Sequence, residues 1–263
     1  EGTVLSGEEA ARLRKYAAEG GALLVLGDSI RQEDGLLADI GCCVLGPAQA
    51  DMDYLQIHER ELGDILRSPF LMYCPAMRVE ARPGACEVLA DVVPPYFNRT
   101  YGHYCGHKNT PYDPDAPRRP AAVRRGNAVY AAHPLGTIYK RFGSEYHRRY
   151  FEALLKLVCP QPVVKVSLPS AGRISFGKQP DRERYCLHLL YGAPQHRGSV
   201  DVIEDLVPQY DTKVELRIPE TVVRVTAFPQ EKELPFVQKG DGVTLTVPEF
   251  TMHTVLVLEY SAQ

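Results

Sequence analysis

Apolar positions change their period along this chain, and the change divides it in two. Near the start, Ser6-Gly7-Glu8-Glu9 has the form of a capping box, in which a Ser hydroxyl and a Glu carboxylate satisfy unpaired N–H groups at a helix start. Leu5 is placed to act as its hydrophobic staple, and Ala10, Leu13 and Ala17 follow at helical spacing. Gly20-Gly21 stops the helix. The continuous apolar run over residues 22–26 then predicts a buried parallel strand, closed by the turn Gly27-Asp28-Ser29. Helix, double glycine, buried strand and glycine turn is the rhythm of an open α/β sheet.

The middle is less regular. Leu36, Leu37 and Ile40 suggest a helical turn, Asp53 to Ile57 a strand, and Leu62, Ile65 and Leu66 a short helix before Pro69. Further strands are predicted over residues 86–90 and, after Gly126, over 127–132. Residues 94–120 are dense in Pro, Tyr, His and Arg, and an ordered loop of that length is usually functional. Ser144 is expected to N-cap a strong helix with Tyr146, Tyr150, Phe151, Leu154, Leu155, Leu157 and Val158 on its apolar face. Cys159-Pro160-Gln161-Pro162 ends that helix and predicts a domain boundary.

Beyond Pro162 the period falls to two. Val164, Val166 and Leu168 alternate with polar residues, as do Ile174 and Phe176, then Tyr185, Leu187 and Leu189. Val214, Leu216 and Ile218, then Val243, Leu245 and Val247, and finally Met252, Thr254, Leu256 and Leu258 continue the pattern. Short alternating strands between Gly and Pro turns predict an antiparallel sandwich.

Composition adds little to this picture. The 263 residues carry a net charge of -3 from 30 basic and 33 acidic side chains, which gives no reason to expect a nucleic-acid or membrane-surface partner. No apolar run approaches the roughly 18 residues of a membrane helix, and no secretory signal pattern is present. The chain opens at Glu1-Gly2-Thr3 and enters a helix start almost at once, as though cut from a longer polypeptide. Its seven cysteines are irregularly spaced with no C-x-x-C pair, which fits reduced thiols and a cytoplasmic protein. The Asn98-Arg99-Thr100 sequon carries no meaning in that setting.

Four constellations bear on chemistry. Asp28 in the Gly27-Asp28-Ser29 turn lies where α/β sheets bind ligands, but an ordinary capping turn accounts for it, and no dinucleotide fingerprint follows. A nucleophile elbow is missing: Gly41-Cys42-Cys43-Val44-Leu45-Gly46 has the wrong spacing, and Cys74 precedes Pro75. The loop containing Tyr96, Asn98, Arg99, His103 and His107 offers sugar-stacking faces and directional donors, or hot spots for an interface. His103, Cys105 and His107 would share one face of an extended segment, yet ligands two apart rarely close a tetrahedron. No carboxylate pair for glycosidic cleavage can be assigned; Glu204-Asp205 lies on an apparent surface, and His188 and His253 read as structural. No catalytic residue, metal or cofactor is expected.

The segment Glu19-Gly20-Gly21-Ala22-Leu23-Leu24-Val25-Leu26-Gly27-Asp28-Ser29 resembles the trimerisation domain of family 42 β-galactosidases, as does residues 126–130 leading through Tyr139 to the helix ending near Leu157. The loop Pro95-Tyr96-Phe97-Asn98-Arg99-Thr100 through His107 and Thr110-Pro111 is similar to that of hypothetical glycosyl hydrolases related to family 151 α-L-fucosidases. Tyr185-Cys186-Leu187-His188-Leu189-Leu190-Tyr191, Val247-Pro248-Glu249-Phe250 and His253 resemble their sandwich. The resemblance implies an α/β class I glutamine-amidotransferase-like domain (Rossmann-like, flavodoxin-type) over residues 1–160, then an all-β antiparallel sandwich over 161–263. It implies a non-catalytic C-terminal part of a multidomain glycoside hydrolase, partnered by an upstream TIM barrel of the same polypeptide and by copies of itself. The barrel and its catalytic carboxylates are not in this chain, so no catalytic residue carries over. Alternatives are a stand-alone α/β hydrolase or amidotransferase-like enzyme with a cysteine nucleophile, or a carbohydrate-binding module.

Overall fold

A computed structural model describes residues 2–261, so Glu1 of the opening tripeptide lies outside the described residues. The chain divides into two compact units, Glu1–Pro160 and Gln161–Gln263.

The first unit is built on a six-stranded sheet in the order Leu23–Leu26, Ala128–Ala131, Arg119–Arg125, Glu87–Val93, Tyr54–Ile57, Phe70–Leu71. Only the pairing of Leu23–Leu26 with Ala128–Ala131 is parallel; every other pairing in the sheet is antiparallel. Gly126-Asn127 makes a two-residue hairpin turn between Arg125 and Ala128, and Gly126 at φ +57° supplies the left-handed backbone such a turn needs.

Both faces of this sheet are covered. Val129 and Ala131 point into a core shared with Leu55, Leu89, Ile138, Tyr150 and Leu154, roofed by the helices Leu135–Phe142 and Glu145–Val158. Ala128 and Tyr130 point the other way, into a core with Ala10, Val25, Ile30, Ile40, Cys42 and Val79. The helix Gly7–Ala18 lies on that side, and its capping box is formed: Ser6 Oγ accepts from the Glu9 N–H, and the Glu9 carboxylate accepts from the Ser6 N–H.

These pairings correct the expected fold class. Among the described residues strand accounts for 42% and helix for 17%, and they form no Rossmann-like, flavodoxin-type or amidotransferase-like α/β fold. The physical reason lies in what an apolar run reports. It marks a strand buried on both faces, and residues 128–131 are buried throughout. Two-sided burial does not fix the direction of the neighbouring strands. Here the hairpin at Gly126-Asn127 and the long loop of residues 94–118 return the chain antiparallel, where a doubly wound sheet would cross over through helices. The expected helical turn near Leu36 is also replaced, by a short ladder between Arg31–Gln32 and Gly35–Leu36. A strand Cys42–Gly46 follows it, paired with Arg78–Ala81.

The second unit packs two antiparallel sheets around one core and adds a two-stranded ladder, Gln195–Arg197 with Val200–Val202. One runs Val164–Val166, Gln209–Arg217, Gly242–Phe250, Phe236–Lys239; the other runs Arg173–Gln179, Arg184–Leu190, His253–Ser261, Thr221–Phe228, Lys232–Glu233. Period-two burial fixes the register: Tyr185, Leu187 and Leu189 face Leu258, Leu256 and Thr254, and Val214 and Leu216 face Leu245 and Val243. All are buried, whereas Ile174 and Met252 of the same alternating series are exposed. No helix among the described residues is long and apolar enough to cross a membrane.

Candidate functional site

The loop between Glu87–Val93 and Arg119–Arg125 is an ordered projection with a closed base. Pro95 and Tyr112 form an antiparallel bridge, the Tyr96 N–H donates to the Pro111 carbonyl (3.1 Å), and the Asp113 N–H donates to the Pro94 carbonyl (2.9 Å). Tyr54 holds this base from the sheet: its hydroxyl donates to the Thr110 carbonyl (2.8 Å), and its ring meets Tyr112 edge-on at 5.4 Å.

Within the loop, the Asn98 and Arg99 side chains are spent on backbone groups. The Asn98 amide donates to the Gln49 carbonyl (2.8 Å) and accepts from the Asp51 N–H (3.3 Å), tying the loop to the preceding segment. The Arg99 guanidinium donates to the carbonyls of His107 and Lys108, bridging the two limbs. Thr100 and His103 pair around a Tyr101-Gly102 tip, and the His103 ring stacks on Phe97 at 3.8 Å. The consequence is at the surface: Tyr96, Tyr101 and Tyr104 stand exposed, and Tyr101 is as exposed as a free residue. Imidazoles His103 and His107 are exposed too. Exposed aromatic rings on an internally braced loop suit stacking on a sugar or filling a partner's pocket.

Tyr96, Asn98, Arg99, His103 and His107 therefore belong to one projection. Beneath it lies a cavity of about 210 Å³ lined by Asp51, Tyr73, Phe97, Asn98, Arg99, Lys108 and Thr110. Cys105 points at the carbonyls of His107 and Asn109, 3.5 and 3.8 Å away. Among the described residues no group of three or more His, Cys, Asp or Glu is arranged to hold a metal ion. Asp28 sits in a short 3-10 turn, Gly27–Ile30, where its carboxylate accepts from the Gly2 N–H (2.7 Å), so it anchors the start of the chain.

Sequence reasoning missed a buried polar cluster in the same unit. His133 Nε2 lies 2.6 Å from Asp53 Oδ1, with the two side chains 0% and 3% exposed. Asp53 Oδ2 accepts from the Ala76 N–H (2.8 Å), and its backbone carbonyl accepts from the Met72 N–H (2.9 Å). Asp53, through its carboxylate and its backbone carbonyl, thus organises the turn around Tyr73, which takes φ +58°. His133 stands at the end of the Ala128–Ala131 strand, just before Pro134; a histidine ending a fully apolar run was the available signal. Sealed from solvent, the pair fastens two strands and a turn together and cannot meet a substrate.

Nearby, His147 donates from Nε2 to the Leu71 carbonyl (2.9 Å), while its buried Nδ1 finds no partner. Burial lowers its pKa below the ordinary 6.5, against the opposing pull of the Leu71 carbonyl and with help from His133. The unfolded chain then binds a proton that the folded chain refuses, so stability is lost as pH falls through about 6.5. Thermal melts should show midpoints falling between pH 7 and 5, and His147→Gln, which keeps the donor to Leu71, should flatten that slope. An unchanged slope would remove His147 as its cause.

No protein-family model matches the chain, and no curated protein matches it. Among solved structures, alpha-L-fucosidase isoenzyme 2 from Paenibacillus thiaminolyticus superposes with a TM-score of 0.88 at 28% identity. The match covers 98% of this chain and 40% of the fucosidase, so the chain spans about two-fifths of that protein's length. The likeness does not single out a family 42 trimerisation domain. In fold and in sequence, this chain is related to part of a glycoside hydrolase.

Proposed function

We propose that this chain is the non-catalytic C-terminal part of a multidomain glycoside hydrolase of the α-L-fucosidase type. In this reading it joins copies of the enzyme and helps enclose an active site that an upstream TIM barrel supplies. The observation that carries the proposal is the match of nearly the whole chain to two-fifths of an α-L-fucosidase. The site chemistry supports it from the other side. Glycosidic cleavage generally takes a pair of carboxyl groups, and the cavity under the loop is lined by one, Asp51. What the loop does offer is contact: three exposed tyrosines, and an Arg99 that holds their support rigid.

The test has two parts. The isolated chain should not turn over nitrophenyl glycosides, including the α-L-fucoside. In the full-length polypeptide, Arg99→Ala should lower kcat/KM roughly tenfold, about 1.4 kcal/mol of transition-state stabilisation, with no change in circular dichroism, because the loop loses the bridge between its limbs. His107→Ala should act in the same direction. Turnover by the isolated chain, or unchanged kinetics in both variants, would overturn the proposal.

A further inference from the structure

The seven cysteines are not equivalent. Cys42 opens the Cys42–Gly46 strand and is buried; Cys86, half-buried, immediately precedes the Glu87–Val93 strand. Their sulfur atoms lie 3.5 Å apart across 44 residues of sequence. A disulfide needs about 2.05 Å, so a closure of about 1.5 Å separates the thiols from a bond, within reach of small side-chain rotations.

This proximity is built into the backbone. The Arg82 N–H donates to the Gly41 carbonyl (3.0 Å), and the turn that follows is closed by the Ala85 N–H on the Arg82 carbonyl (3.0 Å). Asp39 fastens the same corner, accepting from the Gly41 N–H (3.0 Å) and from the Arg82 guanidinium (2.7 Å), with Arg125 on its second oxygen. At Gly41 the two segments pass so closely that a Cβ there would lie 2.5 Å from the Ala85 carbonyl oxygen and 2.9 Å from Cys86 Cβ. Cys43, next along the strand, is exposed and pairs with Glu80, so it belongs to the opposite face.

We propose that Cys42 and Cys86 are a redox modification site, at which a low-molecular-weight disulfide such as oxidised glutathione converts two thiols into a cross-link within the first unit. Cys86, the more accessible sulfur, attacks as thiolate and breaks the S–S bond of oxidised glutathione. One glutathione leaves as thiolate and takes up a proton. Cys42 then gives its proton to solvent base, and its sulfur attacks Cys86 Sγ, expelling the second glutathione. Two electrons pass from the protein thiols to the reagent, and two glutathione thiols are released. In the reduced protein, burial and the neighbouring Cys86 push the Cys42 thiol up to about 12, which keeps it protonated and leaves the first attack to Cys86.

The experiment treats the reduced chain with oxidised glutathione at pH 8, blocks residual thiols with iodoacetamide and maps the peptides. The expected result is a 42–86 cross-linked peptide with no glutathione retained on either cysteine, reversed by dithiothreitol. The melting midpoint should rise by about 5–10 °C, the gain typical of closing a loop of this size in a unit of this length. A Cys43→Ser/Cys159→Ser variant should cross-link as well as the parent, and Cys42→Ala should stall with glutathione on Cys86. Should Cys42→Ala fail to fold, the parent's peptide map still decides. Glutathione held on Cys86 while Cys42 stays alkylatable, or reaction confined to Cys43 and Cys159, would overturn the proposal.

Discussion

Replacing His133 by Ala is expected to destabilise the first unit by about 3–5 kcal/mol, the usual cost of removing one partner from a buried pair. The whole imidazole is sealed, and so is the carboxylate that meets it at 2.6 Å. Without it, Asp53 keeps the Ala76 N–H as a side-chain hydrogen-bond donor, and an underpaired buried carboxylate retains most of its desolvation penalty. Asp53→Asn should cost far less, about 1–2 kcal/mol. Its amide oxygen can accept from the Ala76 N–H, and its NH2 can face the imidazole Nε2. Urea unfolding followed by circular dichroism measures both, since the chain has no Trp to report by fluorescence. A loss below about 1 kcal/mol for His133→Ala would show that the pair does not fasten the strands.

Gly41→Ala is the second large expectation, at about 2–4 kcal/mol. Its backbone sits at φ +71°, which costs an L-residue roughly 1–2 kcal/mol. The added Cβ also meets the Ala85 carbonyl oxygen at 2.5 Å, a clash with backbone that side-chain rotation cannot relieve. Gly84→Ala isolates the conformational part, because Gly84 has φ +69° and nothing within 4 Å of the added carbon. Equal losses at the two positions would mean that the corner at Gly41 yields without cost. A larger loss at Gly41 would confirm a rigid corner, the same rigidity that holds Cys42 near Cys86.

How much of this was legible in the sequence depends on the range of the interaction. The Ser6–Glu9 capping box spans three residues and is present as written. Period-two burial over Tyr185, Leu187 and Leu189 is equally local, since alternate side chains share a face. Direction of pairing is not local. The run at residues 22–26 announced a buried strand; Leu23–Leu26 is an edge strand in which Val25 alone is fully buried, and it does pair in parallel with one neighbour. Nothing in the run told that the next strand would return through Gly126-Asn127 as a hairpin. The Asp53–His133 pair spans 80 residues, beyond any pattern of spacing. The projection from Tyr96 to His107 was visible as composition, a density of Tyr, His and Arg in a long loop. Its internal order was not visible, because Arg99 and Asn98 bind backbone carbonyls that carry no residue identity.

The closed base of that loop has a practical consequence. Where Pro95 and Tyr112 pair, the two strands of the neck stand about 5 Å apart, and the register of the sheet below is already set at Tyr54↔Val93. The segment above the neck is therefore a cassette. Replacing it by a two-residue hairpin should leave the register of the sheet below intact, at the loss of the Asn98 ties to Gln49 and Asp51. Divergence and engineering alike can then rewrite what the projection touches and leave the architecture that carries it untouched.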